Sequence, residues 1–440
     1  MSPSRQRTSR RRFLATTAAA SMAATLASGA GGRFARLPQP TVPAGRVRPP
    51  RGNEPIRMAV IGTGGMGTGH CSAFTTFAKR GEANVQVVAL ADPWPENLNK
   101  AKKLCEDNQT EVRVDAYEDY REILGRDDIH AVLIASPEHW HAQQAIDAIV
   151  AGKDVYVEKP MTLKVEEAIE LYKVVKAHPD RIFQVGTQMM RLPKYHEAKK
   201  VLATGEFGPP TMSQTSYCRN TPSGEWNYYR VNPNWQPGKD VNWEKWCGPL
   251  GLQKWDPYLL NRWRRYKVAS TGIIGDLLVH VMTPLMFALD RGWPTRVVAQ
   301  GQHMIDKAME NHDTVNLLIG FEKEHTMMVA GATNNENGLE TLIRCHKANI
   351  YLNSRHCVIR PERVFVNDID ERTIECPDIG NDQNVHRLGW LECIRTREPS
   401  PSGVELGTQV MVAVDLASRS MWDGRAWGFN TETLAPYPIC

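Results

Sequence analysis

Three short stretches hold residue types that could do chemistry. Asp276-Leu-Leu-Val-His280 sets a carboxylate and an imidazole four residues apart. On a helix that spacing puts both side chains on one face. A carboxylate can orient an imidazole, and histidine changes protonation near neutral pH, so the pair reads as an acid–base unit. Its neighbours are apolar (Ile273, Ile274, Leu277, Val279), so a buried pair must find partners or cost stability. A purely structural Asp/His pair is the competing reading. The second stretch, Glu158-Lys159-Pro160, holds an amine in a stiffened turn. The third is Gly62-Thr-Gly64-Gly-Met-Gly67, between the apolar runs Met58–Ile61 and Val85–Ala91, with Asp92 closing the second run.

These residues need particular elements to position them. An apolar strand, a Gly-x-Gly-x-x-Gly turn, a helix, a second strand and an acid, in that order, make a dinucleotide-binding βαβ unit. Gly62 permits the tight turn, Gly64 lets a pyrophosphate approach the backbone, and Gly67 lets the helix sit close to the strand. Gly65 and Met66 belong to the same turn, where the helix N-terminus offers free N–H groups to phosphates. Asp92 lies twenty-five residues after Gly67. It is placed to accept hydrogen bonds from ribose hydroxyls and would repel a 2′-phosphate, so NAD is expected rather than NADP.

From about 55 to 187 strands and helices alternate, which implies a doubly wound parallel sheet of the Rossmann type. Lys159 follows the fifth strand, and the carboxyl ends of such strands face the ligand crevice. After about 190 the alternation stops. A helix near 193–204 and a strand at 212–218 lead into an irregular stretch, 219–268. That stretch carries Trp226, Trp235, Trp243, Trp246, Trp255 and Trp263, half of the twelve tryptophans. Strands without intervening helices follow between 295 and 376, and helices near 384–396 and 403–423 close the chain. The expected fold is α/β plus α+β, with the second part an open, mostly antiparallel sheet with helices.

A chain of 440 residues implies two domains, and 42% hydrophobic with 23% charged residues describes a soluble globular protein. The net charge of +4 comes with no basic stripe, so nucleic acid is not an expected partner. No apolar run reaches membrane-span length. Ser9-Arg10-Arg11-Arg12-Phe13-Leu14 precedes an Ala/Thr-rich segment and a small-residue stretch. Residues 1–32 therefore read as a twin-arginine export signal and 33–54 as a linker, which makes the export machinery a partner and the periplasm the destination. The two domains are expected at 55–187 and 188–440. The nine cysteines are odd in number and contain no Cys-x-x-Cys, so a disulfide frame or zinc site is not expected. His139 and His141 have no matched acid, and no metal site is expected there.

Taken together, Gly62-x-Gly64-x-x-Gly67, Asp92, Ser136-Pro137-Glu-His139-Trp-His141, Glu158-Lys159-Pro160 and Asp276-x-x-x-His280 resemble the Gfo/Idh/MocA oxidoreductases over about residues 55–430. Asn242-Trp243-Glu-Lys-Trp246-Cys-Gly248-Pro249 and His386-Arg-Leu-Gly-Trp-Leu391-Glu-Cys393-Ile-Arg395 resemble a Trp-rich, exported branch. The resemblance implies Lys159 at the nicotinamide and substrate, with Asp276 and His280 orienting a sugar and shuttling its proton. It places Ser136, Pro137 and Glu158 beside the cofactor, and leaves His141 open between a structural and a cofactor-side role. It also implies a second sheet used for substrate and subunit contacts, hence a homo-oligomer. The chain departs from the pattern at Leu278 (usually glycine), Thr283 (commonly a second acid) and Glu138 (often asparagine).

The expected activity is an NAD-dependent oxidation or reduction at a CH–OH group of a sugar or sugar derivative. Free NAD is scarce outside the cytosol, so an exported enzyme should carry a tightly bound, recycled cofactor. An NAD-dependent glycosidase or lyase working through transient C3 oxidation is the alternative. A non-catalytic NAD-bound carbohydrate-binding protein is a third.

Overall fold

The computed structural model describes residues 37–439; the expected export signal, 1–32, and residues 33–36 lie outside them. Strand β1 (Ile56–Ile61) is buried at every position but Arg57. A parallel strand covered by helices on both faces needs such a continuous apolar run. Helix α1 (Gly65–Lys79) follows, then β2 (Val85–Ala91) and α2 (Pro95–Asn108), which starts with proline at its first turn. Next come β3 (Asp115–Tyr117), α3 (Tyr120–Leu124) capped by the Asp119 side chain, β4 (Ala131–Ile134) and α4 (Glu138–Val150). Then β5 (Asp154–Val157), α5 (Val165–Ala177) and β6 (Phe183–Val185) complete the unit. The six strands pair in the order β3-β2-β1-β4-β5-β6, all parallel. β1 has β2 on one side and β4 on the other, so the strand order reverses there and opens a crevice at their carboxyl ends. The apolar pair Val112 and Val114 precedes the third strand, which begins at Asp115. Val112 and Val114 are apolar because they pack inward, whereas pairing starts where Ala89 of β2 meets Asp115.

Residues 37–54 contain neither helix nor strand, yet they are not a free linker. Thr41 donates through its backbone N and its hydroxyl to the two Asp147 carboxylate oxygens, both at 2.6 Å. Gly45 N donates to Val150 O at 2.9 Å and Val47 is buried. The expected linker is, over these residues, a strap packed along α4.

The second part contains α6 (Pro193–Ala203), β7 (Pro210–Cys218), two short helices α7 (Trp243–Cys247) and α8 (Pro257–Arg262), and α9 (Val279–Leu289). Strands β8 (Pro294–Gln302), β9 (Thr314–Phe321), β10 (His325–Ala332), β11 (Leu342–Cys345), β12 (Ala348–Tyr351), β13 (Cys357–Pro361) and β14 (Arg372–Ile374) follow. Helices α10 (Asp382–Thr396) and α11 (Val404–Asp423), then β15 (Trp427–Asn430) and β16 (Ala435–Pro438), end the chain. The ten strands pair as β14-β13-β12-β11-β7-β10-β9-β8-β15-β16, antiparallel except for β7 with β10. In β9, Val315, Leu317 and Ile319 are buried while Asn316 and Leu318 face outward, the alternation of a sheet covered on one side. One apolar core runs from α5 and β6 through α9 and α11 into this sheet. Among the described residues, no helix is long and apolar enough to cross a membrane.

Helix α10 returns to the parallel sheet. Gln184 of β6 donates to His386 O at 3.0 Å, and Trp390 packs edge-on against Phe74 and Tyr156. Arg397, just beyond α10, grips Asp154 at the start of β5 with two bonds of 2.7 and 2.8 Å. The motif residues of the first sheet are thereby braced by the end of the chain.

Candidate active site

The glycine turn is built as its residue types require. Gly62 has φ +82°, and a side chain there would press on the Ser136 backbone. A Cβ on Gly67 would overlap the Gly62 carbonyl, so α1 reaches β1 only because residue 67 is glycine. Gly64 differs: a Cβ there meets nothing within 4 Å. That open space belongs to a cleft of about 390 Å³. Gly62, Gly64, Gly65, Met66 and Asp92 form one wall, and Ser136 and Pro137, between β4 and α4, form the floor. Gly64 and Gly65 at the start of α1 leave room for a diphosphate against free backbone N–H groups, so the cradle fits a dinucleotide. Asp92 is buried. Its Oδ2 accepts from Thr63 N at 2.6 Å and its Oδ1 from Trp94 N at 2.8 Å. Burial pushes its carboxyl up to about 6 against those hydrogen bonds. The acid therefore fixes the turn as well as facing the cleft.

The opposite wall comes from the Trp-rich stretch: Tyr229, Lys245, Trp246, Leu260, Trp263 and Arg264. This stretch is pinned to the first sheet. His139 Nε2 and Trp140 Nε1 both donate to Trp246 O at 2.9 Å. His139 thus carries its proton on Nε2, and its buried Nδ1 has no partner. Asn242 donates to Glu118 at 2.7 Å, and Lys245 pairs with the same carboxylate at 3.0 Å. Trp243 stacks on Trp246 with ring centroids 4.6 Å apart, and Trp94 meets Trp235 edge-on. Most of these indoles are buried in packing; Trp246 and Trp263 also reach the cleft.

Lys159, Asp276 and His280 come together from elements 117 residues apart in sequence. Lys159 Nζ donates to Asp276 Oδ1 at 2.8 Å and to Asp276 O at 2.9 Å. Arg264 Nε donates to the same Oδ1 at 2.8 Å. Burial alone would raise the Asp276 carboxyl; the two cations hold it far below the carboxylate range. Asp276 sits in a π-helical turn, Ile274–Leu278, that leads into α9. Single π turns inside helices recur at functional sites. The expected Asp276–His280 contact is not made: the carboxylate turns to the two cations, whose full charges outcompete a neutral imidazole. His280 Nδ1 is sealed and unpartnered, whereas Nε2 is neither sealed nor hydrogen-bonded. Burial first, then the Lys159 charge, push His280 down to about 4, so the ring is neutral near pH 7.

Two expected cofactor-side residues face elsewhere. His141 lies off the cleft wall, with Pro160 O 2.6 Å from Nδ1 and Ser136 O 2.8 Å from Nε2. It is a buried brace between the two loops that carry Ser136 and Lys159. Glu158 turns inward to His70 Nε2 at 2.8 Å, while Arg387 Nε donates to His70 Nδ1 at 2.9 Å. Because arginine only donates, His70 is neutral and gives its Nε2 proton to Glu158. Glu158 also accepts from Lys159 N at 3.2 Å, so this chain steadies the lysine turn. Glu138 is fully buried and accepts from Ser270 Oγ at 2.6 Å and Thr271 N at 3.1 Å. Burial, with help from Asp276, pushes its carboxyl up to about 7. Arg264, His70 and Arg387 carried no local signal. His70 follows Gly67 by three residues and Arg387 lies inside the His386–Arg395 stretch, yet their roles, like that of Arg264, are recognisable only by what they touch in the fold.

Residues 56–187 match the Gfo/Idh/MocA model described as "Oxidoreductase family, NAD-binding Rossmann fold", and residues 199–428 match its "Oxidoreductase family, C-terminal alpha/beta domain". The chain is 31% identical over 172 residues to inositol 2-dehydrogenase of Burkholderia lata, covering 39% of this chain and 48% of that protein. It is likewise 31% identical over 170 residues to inositol 2-dehydrogenase/D-chiro-inositol 3-dehydrogenase of Halalkalibacterium halodurans, covering 39% and 46%. The chain thus spans about half the length of the curated relatives it matches. Its fold is similar to levoglucosan dehydrogenase in complex with NADH and levoglucosan, with TM-score 0.63 and 20% identity over 88% of this chain and 100% of that one. An NAD binding oxidoreductase from Klebsiella pneumoniae superposes with TM-score 0.64 at 19% identity, over 85% and 98%.

Proposed function

Because the chain belongs to the Gfo/Idh/MocA oxidoreductase family and uses NAD, we propose that it oxidises or reduces a CH–OH group of a sugar or sugar derivative with a cofactor that it retains and recycles. The observation that carries this reading is the Lys159–Asp276–Arg264 cluster, with Lys159 Nζ 2.8 Å from Asp276 and Arg264, bound to the same carboxylate, lining the dinucleotide cleft. When bound, NAD accepts or returns the hydride. Gly62, Gly64, Gly65, Met66 and Asp92 would hold its diphosphate and ribose, and Ser136 and Pro137 the floor beneath. The chain supplies the proton chemistry. His280, neutral and open at Nε2, takes the substrate hydroxyl proton as the carbinol hydrogen leaves. The Lys159 ammonium donates to the oxygen that becomes the carbonyl, and Asp276 keeps that ammonium in place. The curated relatives named for inositol oxidation support a polyol or sugar substrate.

Retention is supported by the pinned Trp-rich segment, whose Trp246, Trp263 and Arg264 line the same cleft as Gly64. It fits a protein exported through the twin-arginine route to the periplasm, folded and loaded beforehand, and working as a homo-oligomer through its second sheet. A retained cofactor also fits the glycosidase or lyase alternative, in which the hydride is returned within one cycle.

The test is to purify the folded protein, identify any nucleotide by absorbance and mass, and incubate it with sugars and glycosides without added NAD. A keto-sugar with reduced cofactor supports net oxidation. Sugar released from a glycoside with no net reduction supports the alternative. No NAD bound and no affinity for it would overturn both.

A further inference from the structure

The charge around Asp276 does not balance. Lys159 and Arg264 share one carboxylate oxygen, at 2.8 Å each, so two cations face one anion. Of the two further acids nearby, Glu158 beside Lys159 is faced in turn by the Arg387 charge, and Glu138 is buried and pushed up to about 7, so at neutral pH it is only partly ionised. The other cations of the cleft are compensated: Lys245 has Glu118 and Asp119, and Arg121 has Asp119.

Arg264 is also oriented. It uses only Nε on Asp276, and among the described residues neither terminal nitrogen makes a hydrogen bond. The guanidinium lies over the Trp263 ring, 4.1 Å from its centroid, which fixes the plane of the fork. The side chain is about a quarter exposed, and the residue lines the same cleft as Gly64 and Gly65. A planar fork with free N–H donors, one surplus positive charge and a locked plane is suited to two oxygens of an anion.

Resting on the reading of this cleft as a dinucleotide and sugar site, we propose that Arg264 is an oxyanion receptor. It grips a phosphate or carboxylate of the bound ligand with its terminal nitrogens while its Nε holds Asp276, and through Asp276 it ties ligand occupancy to the position of Lys159. The oxyanion has two sources, the diphosphate of the cofactor or the carboxylate of an acidic sugar. Arg264 is a binding and positioning residue contributed by the Trp-rich wall, so that wall contributes specificity as well as cover. The lysine, asparagine and alanine side chains common in loops would leave this charge pattern without a planar receptor.

The experiment uses the full chain freed of nucleotide, comparing wild type with Arg264→Lys and Arg264→Gln, each checked for an unchanged melting temperature. Calorimetric titration with NAD at low and high salt reads the cofactor arm without turnover. If the diphosphate is the ligand, Arg264→Gln weakens NAD by about tenfold, Arg264→Lys by less, and the salt sensitivity of wild type shrinks in Arg264→Gln. In the substrate arm, KM for a uronic acid is compared with KM for its neutral parent sugar. If the carboxylate is the ligand, NAD affinity stays at the wild-type value and the preference for the acid falls by about tenfold in Arg264→Gln. Unchanged NAD affinity together with an unchanged acid-to-neutral ratio overturns the proposal. If no sugar is turned over, the functional reading fails, and calorimetric titration of NAD and of the uronic acid then decides the role of Arg264: unchanged affinity for both in Arg264→Gln overturns it.

Discussion

At the scale of single residues, burial sets the chemistry. His280 has one nitrogen sealed without a partner and one neither sealed nor bonded, and burial moves it down to about 4. A base must be unprotonated to work, so oxidation should persist through mildly acidic pH and fall only as pH drops through about 4. The pH profile of kcat/KM checks this, and His280→Ala should lower kcat by roughly two to four orders of magnitude while leaving NAD affinity nearly unchanged. Equal loss of NAD affinity in that variant would move His280 from proton transfer to cofactor binding. The glycines make a second, paired prediction. Gly64→Val places its side chain in the open cleft, so the protein should fold with a normal melting temperature and lose NAD. Gly67→Val drives a side chain into the Gly62 carbonyl, so it should destabilise the fold by several kcal/mol. Similar melting temperatures for both variants would contradict this division of labour.

At the scale of elements, the Trp-rich stretch 219–268 is the least regular part of the chain and one of the best anchored. Its short helices α7 and α8 are too brief to be stable alone. They hold because indoles stack and because the Trp246 carbonyl takes two donors from α4. Gly248 marks the closest approach: it has φ +45°, and a side chain there would collide with the Trp140 ring. Gly248→Ala should loosen this wall selectively. We expect faster proteolytic cutting between 219 and 268 and faster NAD dissociation, with the two sheets intact by circular dichroism. Unaltered NAD dissociation would show that the wall packs the protein without retaining the cofactor. The π turn before α9 is the companion device: it presents Asp276 to Lys159 and Arg264 at the price of its alignment with His280.

At the scale of the molecule, the end of the chain supports the site at its beginning. Arg387 of α10 holds His70 of α1, which holds Glu158, the neighbour of Lys159. All three are buried, so the hydrogen-bonded chain cannot be replaced by water. Arg387→Met should leave Glu158 and His70 poorly compensated and cost about 3 kcal/mol of stability, read by denaturant unfolding. It should also lower kcat more than it raises KM, because Lys159 loses the support of its turn. An unfolding midpoint within error of wild type would remove α10 from this role. The packed strap 37–54 works in the same direction, tying α4 through Asp147 before the first strand begins.

The elements and the chemistry of the motifs were legible in the sequence. Continuous apolar runs identify strands covered on both faces, and the glycine spacing identifies a phosphate-binding turn. Those signals are local: they depend on strand period, turn geometry and helix ends, which a few neighbouring residues decide. Lys159, Asp276 and His280 were legible as types capable of proton transfer, but their partnership was not. Local spacing paired Asp276 with His280. The folded chain gives Asp276 to Lys159 and Arg264, because in a buried site full charges within 3 Å outweigh a neutral ring. His141 and Glu158 followed the same rule, turning from the cleft toward carbonyls and a histidine that only the fold brings near. Order along the chain thus determined which groups could react. Tertiary packing alone decided which of them face the cleft and which charges are left over, since burial and electrostatic pairing depend on partners that only the fold brings together, 117 positions apart for Lys159 and Asp276.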